Sequence, residues 1–157
     1  TKLEFSGKRQ RTLTLDGNLQ GLIKVRGQVA SHNLDSYNRL ALGGVSGVRA
    51  YTAADGVGDY GAQATLELNQ KLGGGKSMGI FYDAGWIKPN KSPVSGVFND
   101  GYGLQAVGMQ WSGNFERWYY NVTLAQGIKG YKKAQVGEAT ESKANAGRLS
   151  ASMSYLF

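Results

Sequence analysis

Two residues stand out for the chemistry they could do together, an arginine and an aspartate. Arg49 lies in Leu42-Gly43-Gly44-Val45-Ser46-Gly47-Val48-Arg49-Ala50-Tyr51, a glycine-studded run inside the longest polar connection of the chain. Asp83 lies in Phe81-Tyr82-Asp83-Ala84-Gly85, inside a segment whose apolar residues alternate. A guanidinium presents a planar fork of donors that matches both oxygens of a carboxylate. The chemistry of such a pair is locking and recognition, not bond-making. Catalytic patterns find no support elsewhere. His32 is the single histidine, in an Asn/Asp-rich stretch, and there is no cysteine, so a zinc site is not expected and a Ser–His or Cys–His system has no support. The run Gly56 to Gly61 lacks the preceding strand and following helix of a dinucleotide fingerprint, and Gly73-Gly74-Gly75-Lys76 lacks the Ser/Thr of a phosphate loop. The 11 acidic residues show no paired general acid–base arrangement. The expectation is a non-enzyme with no catalytic residue, no metal and no cofactor.

The elements that must position Arg49 and Asp83 read as strands. Glycine is abundant (24 of 157 residues) and proline scarce (2), while Tyr, Phe and Trp number 9, 5 and 3. That glycine content is roughly twice the average and, with Tyr, Val, Leu and Thr, suits many strands joined by turns. No apolar run is long enough for a membrane helix. The mean hydropathy of −0.36 does not exclude a membrane barrel, whose strands alternate lipid-facing and lumen-facing residues. Period-two alternation is clearest in Arg148–Phe157, where Leu149, Ala151, Met153, Tyr155 and Phe157 share one face against Arg148 and three serines. It recurs in Trp118–Leu124, Ala62–Asn69, Ile23–Val29 and Met78–Asp83. Tyr102–Trp111 changes phase near Val107, which predicts a bulge. Thr1–Leu15 reads as a further strand carrying Lys8, Arg9 and Arg11, for about seven strands in all.

The connections alternate strictly between short and long. Asp16-Gly17-Asn18, Gly73–Lys76 and Ser112-Gly113-Asn114 read as tight turns. Residues 32–58, 86–100 and 126–145 read as long polar loops. Structureless loops of that length are uncommon in compact soluble domains, whereas outer-membrane barrels carry short periplasmic turns and long external loops. Tyr60, Trp86, Tyr102, Trp111, Trp118 and Tyr155 fall near strand ends, where interfacial girdles sit; each reads equally as a core aromatic. In the Asp83 strand Met78, Ile80 and Tyr82 form the lipid-like face, so Asp83 and Phe81 share the lumen face. A carboxylate confined there needs a partner, and a loop folding back into the barrel would bring Arg49 to it.

At these residues the chain resembles the outer-membrane transporters of two-partner secretion, the TpsB family of the haemolysin secretion/activation type. The likeness runs through residues 27–36, the Leu-Gly-Gly…Val-Arg-Ala-Tyr loop, Gly58-Asp59-Tyr60-Gly61 ahead of the strand holding Glu67, Phe-Tyr-Asp-Ala-Gly, and a terminal Phe. The resemblance implies a loop tucked into the barrel, its Arg49 meeting Asp83, with Gly43, Gly44, Val48 and Tyr51 as loop motif and Phe81 and Gly85 as strand motif. Ala50 stands where the family commonly has Gly, and Ala tolerates a positive φ less well. Tyr155 and Phe157 fit a C-terminal barrel-targeting signature.

The resemblance further implies an all-β, transmembrane antiparallel β-barrel of sixteen strands. Residues 1–157 would be its C-terminal part of about seven strands, and POTRA domains would lie outside this chain. The expected function is secretion of a large partner protein of haemolysin, adhesin or toxin type from the outer membrane of a Gram-negative cell. The expected partners are that exported polypeptide, outer-membrane lipid and lipopolysaccharide, and the barrel-assembly machinery during biogenesis. Nucleic acid is not among them: the basic run 129–133 reads as a solvated loop. The net charge of +7 reads as a basic lumen, with Lys24, Arg26 and Arg148 facing inward. Rival readings are an insertase or assembly factor of the same superfamily, a porin or adhesin barrel, and a soluble basic β-sandwich.

Overall fold

The computed structural model describes residues 1–96, 99–130 and 147–156. Seven strands form one antiparallel sheet: β1 (Lys2–Thr12), β2 (Leu19–Ala30), β5 (Tyr60–Gly73), β6 (Lys76–Lys88), β7 (Tyr102–Phe115), β8 (Trp118–Lys129) and β9 (Gly147–Tyr155). Each pairs with its neighbours in sequence order, β1-β2-β5-β6-β7-β8-β9, as an open meander. The short ladder of β3 (Leu40–Ala41) and β4 (Val57–Gly58) lies within the first long connection. Strands of 9 to 14 residues have the length that a tilted strand needs to cross a bilayer.

Alternation sorts the side chains onto two faces. The outer face carries Leu3, Phe5, Ile23, Val25, Leu66, Leu68, Ile80, Met109, Leu124 and Leu149, all exposed. In water such a face would be buried under a second layer; the described residues place none there. The inner face is polar along most strands, with Lys24, Arg26 and Gln28 on β2 and Gln63, Thr65, Glu67 and Asn69 on β5. The core sits on this inner face. Leu40, Leu42, Val48, Ala50 and Tyr51 of the first long connection pack on Phe81 and Ile87 of β6, Leu104 and Ala106 of β7, and Ala125 of β8.

That packing corrects the expected phase change in β7. The strand keeps one phase throughout: Leu104 and Ala106 are buried inward, and Val107, Met109 and Trp111 are exposed outward. The apparent break arises because the inner wall itself turns apolar where the loop covers it. A bulge does fall beside Val107, in the β7–β8 ladder, but its extra residue is on β8. Gln105 pairs with Lys129 and Ala106 with Gly127, so Ile128 is the extra residue. A second irregularity lies between Lys71 and Gly73 in the β5–β6 ladder. Tyr102 packs against the same core, so it is not a girdle residue. Trp86, Trp111, Trp118 and Tyr155 do stand exposed on the outer face.

The turns also differ in one place. Ser112-Gly113-Asn114 stays within β7, and the chain reverses at Glu116-Arg117, with Glu116 at φ 53°. Gly113 is a strand residue because Tyr120 and Lys76 crowd the space a side chain would fill. The β5–β6 turn is as expected. Gly73, Gly74 and Gly75 have φ of 81°, 56° and 72°, a run of left-handed residues that glycine adopts readily. The basic stretch of β1 divides: Lys8 shares the inward parity of its partner Lys24, whereas Arg9 and Arg11 pair with Ile23 and Gly21 on the outer side.

Candidate functional site: an arginine latch beneath an inward-folded loop

The loop is compact because its glycines let backbone approach backbone. A Cβ at Gly43 would lie 1.9 Å from the Thr52 carbonyl oxygen, and one at Gly47 1.9 Å from that of Leu42. Gly44 has φ 96°. Within this knot the Val48 N–H donates to the Leu42 carbonyl at 2.7 Å, and the Gly44 N–H to the Tyr51 carbonyl at 2.9 Å. Asp55 caps the turn by accepting from the Thr52 N–H and hydroxyl at 2.7 and 2.8 Å. On the wall below, a Cβ at Gly85 would lie 2.8 Å from Leu42 Cδ2. The strand-motif glycine is therefore the seat for the loop's leucine. Ala50 does not take a positive φ: among the described non-glycine residues only Glu116 does. The alanine is thus accommodated without strain.

Arg49 descends from this loop onto β6. Its Nε donates to Asp83 Oδ2 at 2.8 Å and its Nη2 to Oδ1 at 2.9 Å, while its backbone N–H reaches Oδ2 at 3.1 Å. The Thr65 hydroxyl donates to Oδ1 at 2.9 Å. Asp83 is 0% exposed, and four donors on two oxygens satisfy its charged form. The other guanidinium nitrogen, Nη1, lies 3.0 Å from Glu67 Oε1 and donates to Gln110 Oε1 at 3.2 Å. Gln110 in turn donates to Glu67 at 3.2 Å and to Asn69 at 2.8 Å. The Phe81 ring lies under the guanidinium, 3.4 Å from its carbon to the ring centroid, a stacked cation–π arrangement. Phe81 is thus the floor of the site.

Sequence reasoning paired Arg49 with Asp83 and missed Glu67 as the second carboxylate. The signal was present: Thr65 and Glu67 share a strand face, and the β5–β6 register sets Thr65 opposite Asp83 and Glu67 opposite Phe81. Register is not visible in a sequence. Tyr51 is buried and its hydroxyl donates to the Lys129 carbonyl at 2.7 Å. Burial, then the charge of Asp55, push that hydroxyl's pKa up to about 12. Arg148 of β9 donates to the Tyr51 carbonyl, so the loop is tied to the last strand as well as to β6. Val48 and Gly43 are bridged within the loop.

A second clasp, also missed, ties the first long connection to the segment after β6. Buried Asp59 accepts from the N–H groups of Leu34 at 3.1 Å and Lys91 at 2.9 Å, with Arg39 Nε 3.3 Å away. Of the C-terminal pair, Tyr155 lies on the outer face with its ring 4.8 Å from Trp118, and Phe157 lies outside the described residues.

No family model matches the sequence, and no curated protein matches it either. Among solved structures the fold is similar to CdiB from Acinetobacter baumannii, with a TM-score of 0.63 and 18% identity over 88% of this chain. The match covers 24% of that protein, so this chain spans about a quarter of its length. At that identity the likeness carries the fold: an all-β antiparallel sheet that is an open arc of a β-barrel.

Proposed function

We propose that this chain is part of an outer-membrane β-barrel of the TpsB type, a conduit that secretes a large partner polypeptide. The likeness to CdiB supports the reading at the level of architecture. The observation that carries the proposal is the loop of residues 42–51. It is folded onto the polar inner face and latched there by a buried Arg49–Asp83 fork, while the opposite face is an exposed apolar band. A polar, basic inner wall facing a hydrated lumen, with lipid outside, accounts for both faces at once.

In this reading the two edges left unpaired among the described residues are completed by further strands of the same barrel, since lipid does not tolerate open edges. POTRA domains receive the exported protein, of haemolysin, adhesin or toxin type. Lipid and lipopolysaccharide meet the outer face, and the barrel-assembly machinery inserts it. The conduit is passive: the loop and its latch set the resting state, with no catalysis and no cofactor. Asp83→Ala and Arg49→Ala are each expected to impair secretion of the partner by the full-length protein while the barrel still inserts. Secretion at the unsubstituted level in both variants would refute the latch mechanism.

A further inference from the structure

We infer that the groove beside the loop tip, on the β1–β2 side, is a binding station for acidic, extended segments of the exported polypeptide. This rests on the secretion reading and adds the chemistry of what passes. The β1–β2 register sets Lys8 directly opposite Lys24, and Lys24 and Lys8 both line a cavity of about 340 Å³ that ends against Ser46 and Gly47 of the loop tip. Like charges set opposite each other destabilise a sheet, so stability alone does not explain them. The one carboxylate lining this groove is Glu67, 3.7 Å from Lys24 Nζ and already 3.0 Å from Arg49. Lys8 makes no ion pair among the described residues.

Arg26 supplies the second observation. Its Nη2 donates to the Ala41 carbonyl at 2.8 Å and to Gln63 at 3.0 Å, yet its Nε is buried with no partner. The guanidinium lines the same cavity as Lys8 and Lys24, so its positive charge, already short of one acceptor, adds to the attraction for an anion there. Lys24 and Arg26 are two residues apart on one strand face, about 7 Å. That is also the repeat of same-face side chains in an extended polypeptide, so acidic residues at alternate positions would meet both cations. On the far side of the loop tip the neighbouring cavity shares Lys24, Arg49 and Glu67, and the β8–β9 wall adds only the uncharged Asn121, Thr123, Ser150 and Ser152 to them. Exposed lysines bind weakly in water, and a conduit needs sites that also release.

The test is current block of the full-length barrel in planar bilayers by an alternating Glu–Ser peptide, with an alternating Lys–Ser peptide and inorganic phosphate at equal charge as comparisons. The Glu–Ser peptide is expected to block, and its apparent affinity to fall about tenfold in Lys8→Gln/Lys24→Gln. Lys8→Gln alone, which touches none of the latch residues, is expected to give a smaller loss of the same sign. Heat-modifiable mobility of each variant controls for folding. Equal block of the double variant and the unsubstituted protein overturns the inference, as does block by phosphate equal to that by the peptide. Either result leaves the conduit reading standing. A protein that carries no current even with residues 42–51 deleted overturns the conduit reading and the inference with it.

Discussion

At the scale of single residues, two kinds of energy hold the loop, and their magnitudes divide the roles. Leu42, Val48 and Tyr51 are almost wholly buried, and a fully buried side chain of that size contributes roughly 1.5–3 kcal/mol. Apolar burial therefore supplies the adhesion. The Arg49–Asp83–Glu67 cluster contributes little net, because desolvating three charges offsets most of their attraction. What it supplies is position: only one placement of the loop satisfies the fork, the Thr65 hydroxyl and Gln110 together. Removing one partner is different, since it strands a buried charge at a cost of about 3–5 kcal/mol. Asp83→Ala is thus expected to release the loop, read as faster amide exchange across residues 42–51. Glu67→Gln is expected to give a smaller effect, because Asp83 still pairs the guanidinium. Equal release by the two variants would contradict the division of roles. Arg49→Lys is expected to behave like a loss, since a single ammonium cannot bridge both Asp83 oxygens and Glu67.

The elements show which features were legible in the sequence. Strand alternation was legible because period-two patterning needs only local sequence, and it gave all seven long strands and the inward parity of Asp83. The latch was half legible: Arg49 and Asp83 have motif signatures, but Glu67 enters through a register between strands that only the fold reveals. A bulge does lie beside Val107, with its extra residue on β8; the phase change read along β7 was an error with a physical origin. Alternation was taken to mean apolar outside and polar inside, and the loop reverses that rule wherever it covers the wall. The turn at Glu116-Arg117 was displaced because Gly113 looked like a turn glycine, when it is a strand residue crowded by Tyr120. The loop's own design yields two expectations. Gly47→Ala places a Cβ against the Leu42 carbonyl oxygen at 1.9 Å, so it is expected to expose the loop to protease, whereas Ala50→Gly is expected to change little. The second concerns pH. Ionising Tyr51 is harder in the folded loop than its ordinary value of 10.0 implies, with the hydroxyl pushed up to about 12. The folded form holds its proton where the released form has lost it, so adhesion is constant below pH 10 and weakens as pH rises towards 12. Tyr51→Phe is expected to remove that dependence, measured as amide exchange against pH.

For the whole molecule, the decisive feature is the pairing of an exposed apolar outer face with a polar inner face that carries the buried core of the described residues. A soluble protein of this composition would put the core between two layers. Here the core lies between a sheet and one loop, and the remaining apolar surface has lipid as its natural neighbour. β9 contributes to both sides. Leu149, Met153 and Tyr155 extend the outer band, while Arg148 reaches the loop at Tyr51. Its removal is expected to cost both barrel closure and the loop's second tie. The most direct test of the membrane-barrel account is gel mobility of the full-length protein in detergent, heated and unheated, with and without residues Leu149–Phe157. The account predicts a compact, heat-modifiable species in detergent that disappears on truncation. A protein that folds and stays soluble without detergent would contradict the outer-face assignment, and with it the proposed conduit.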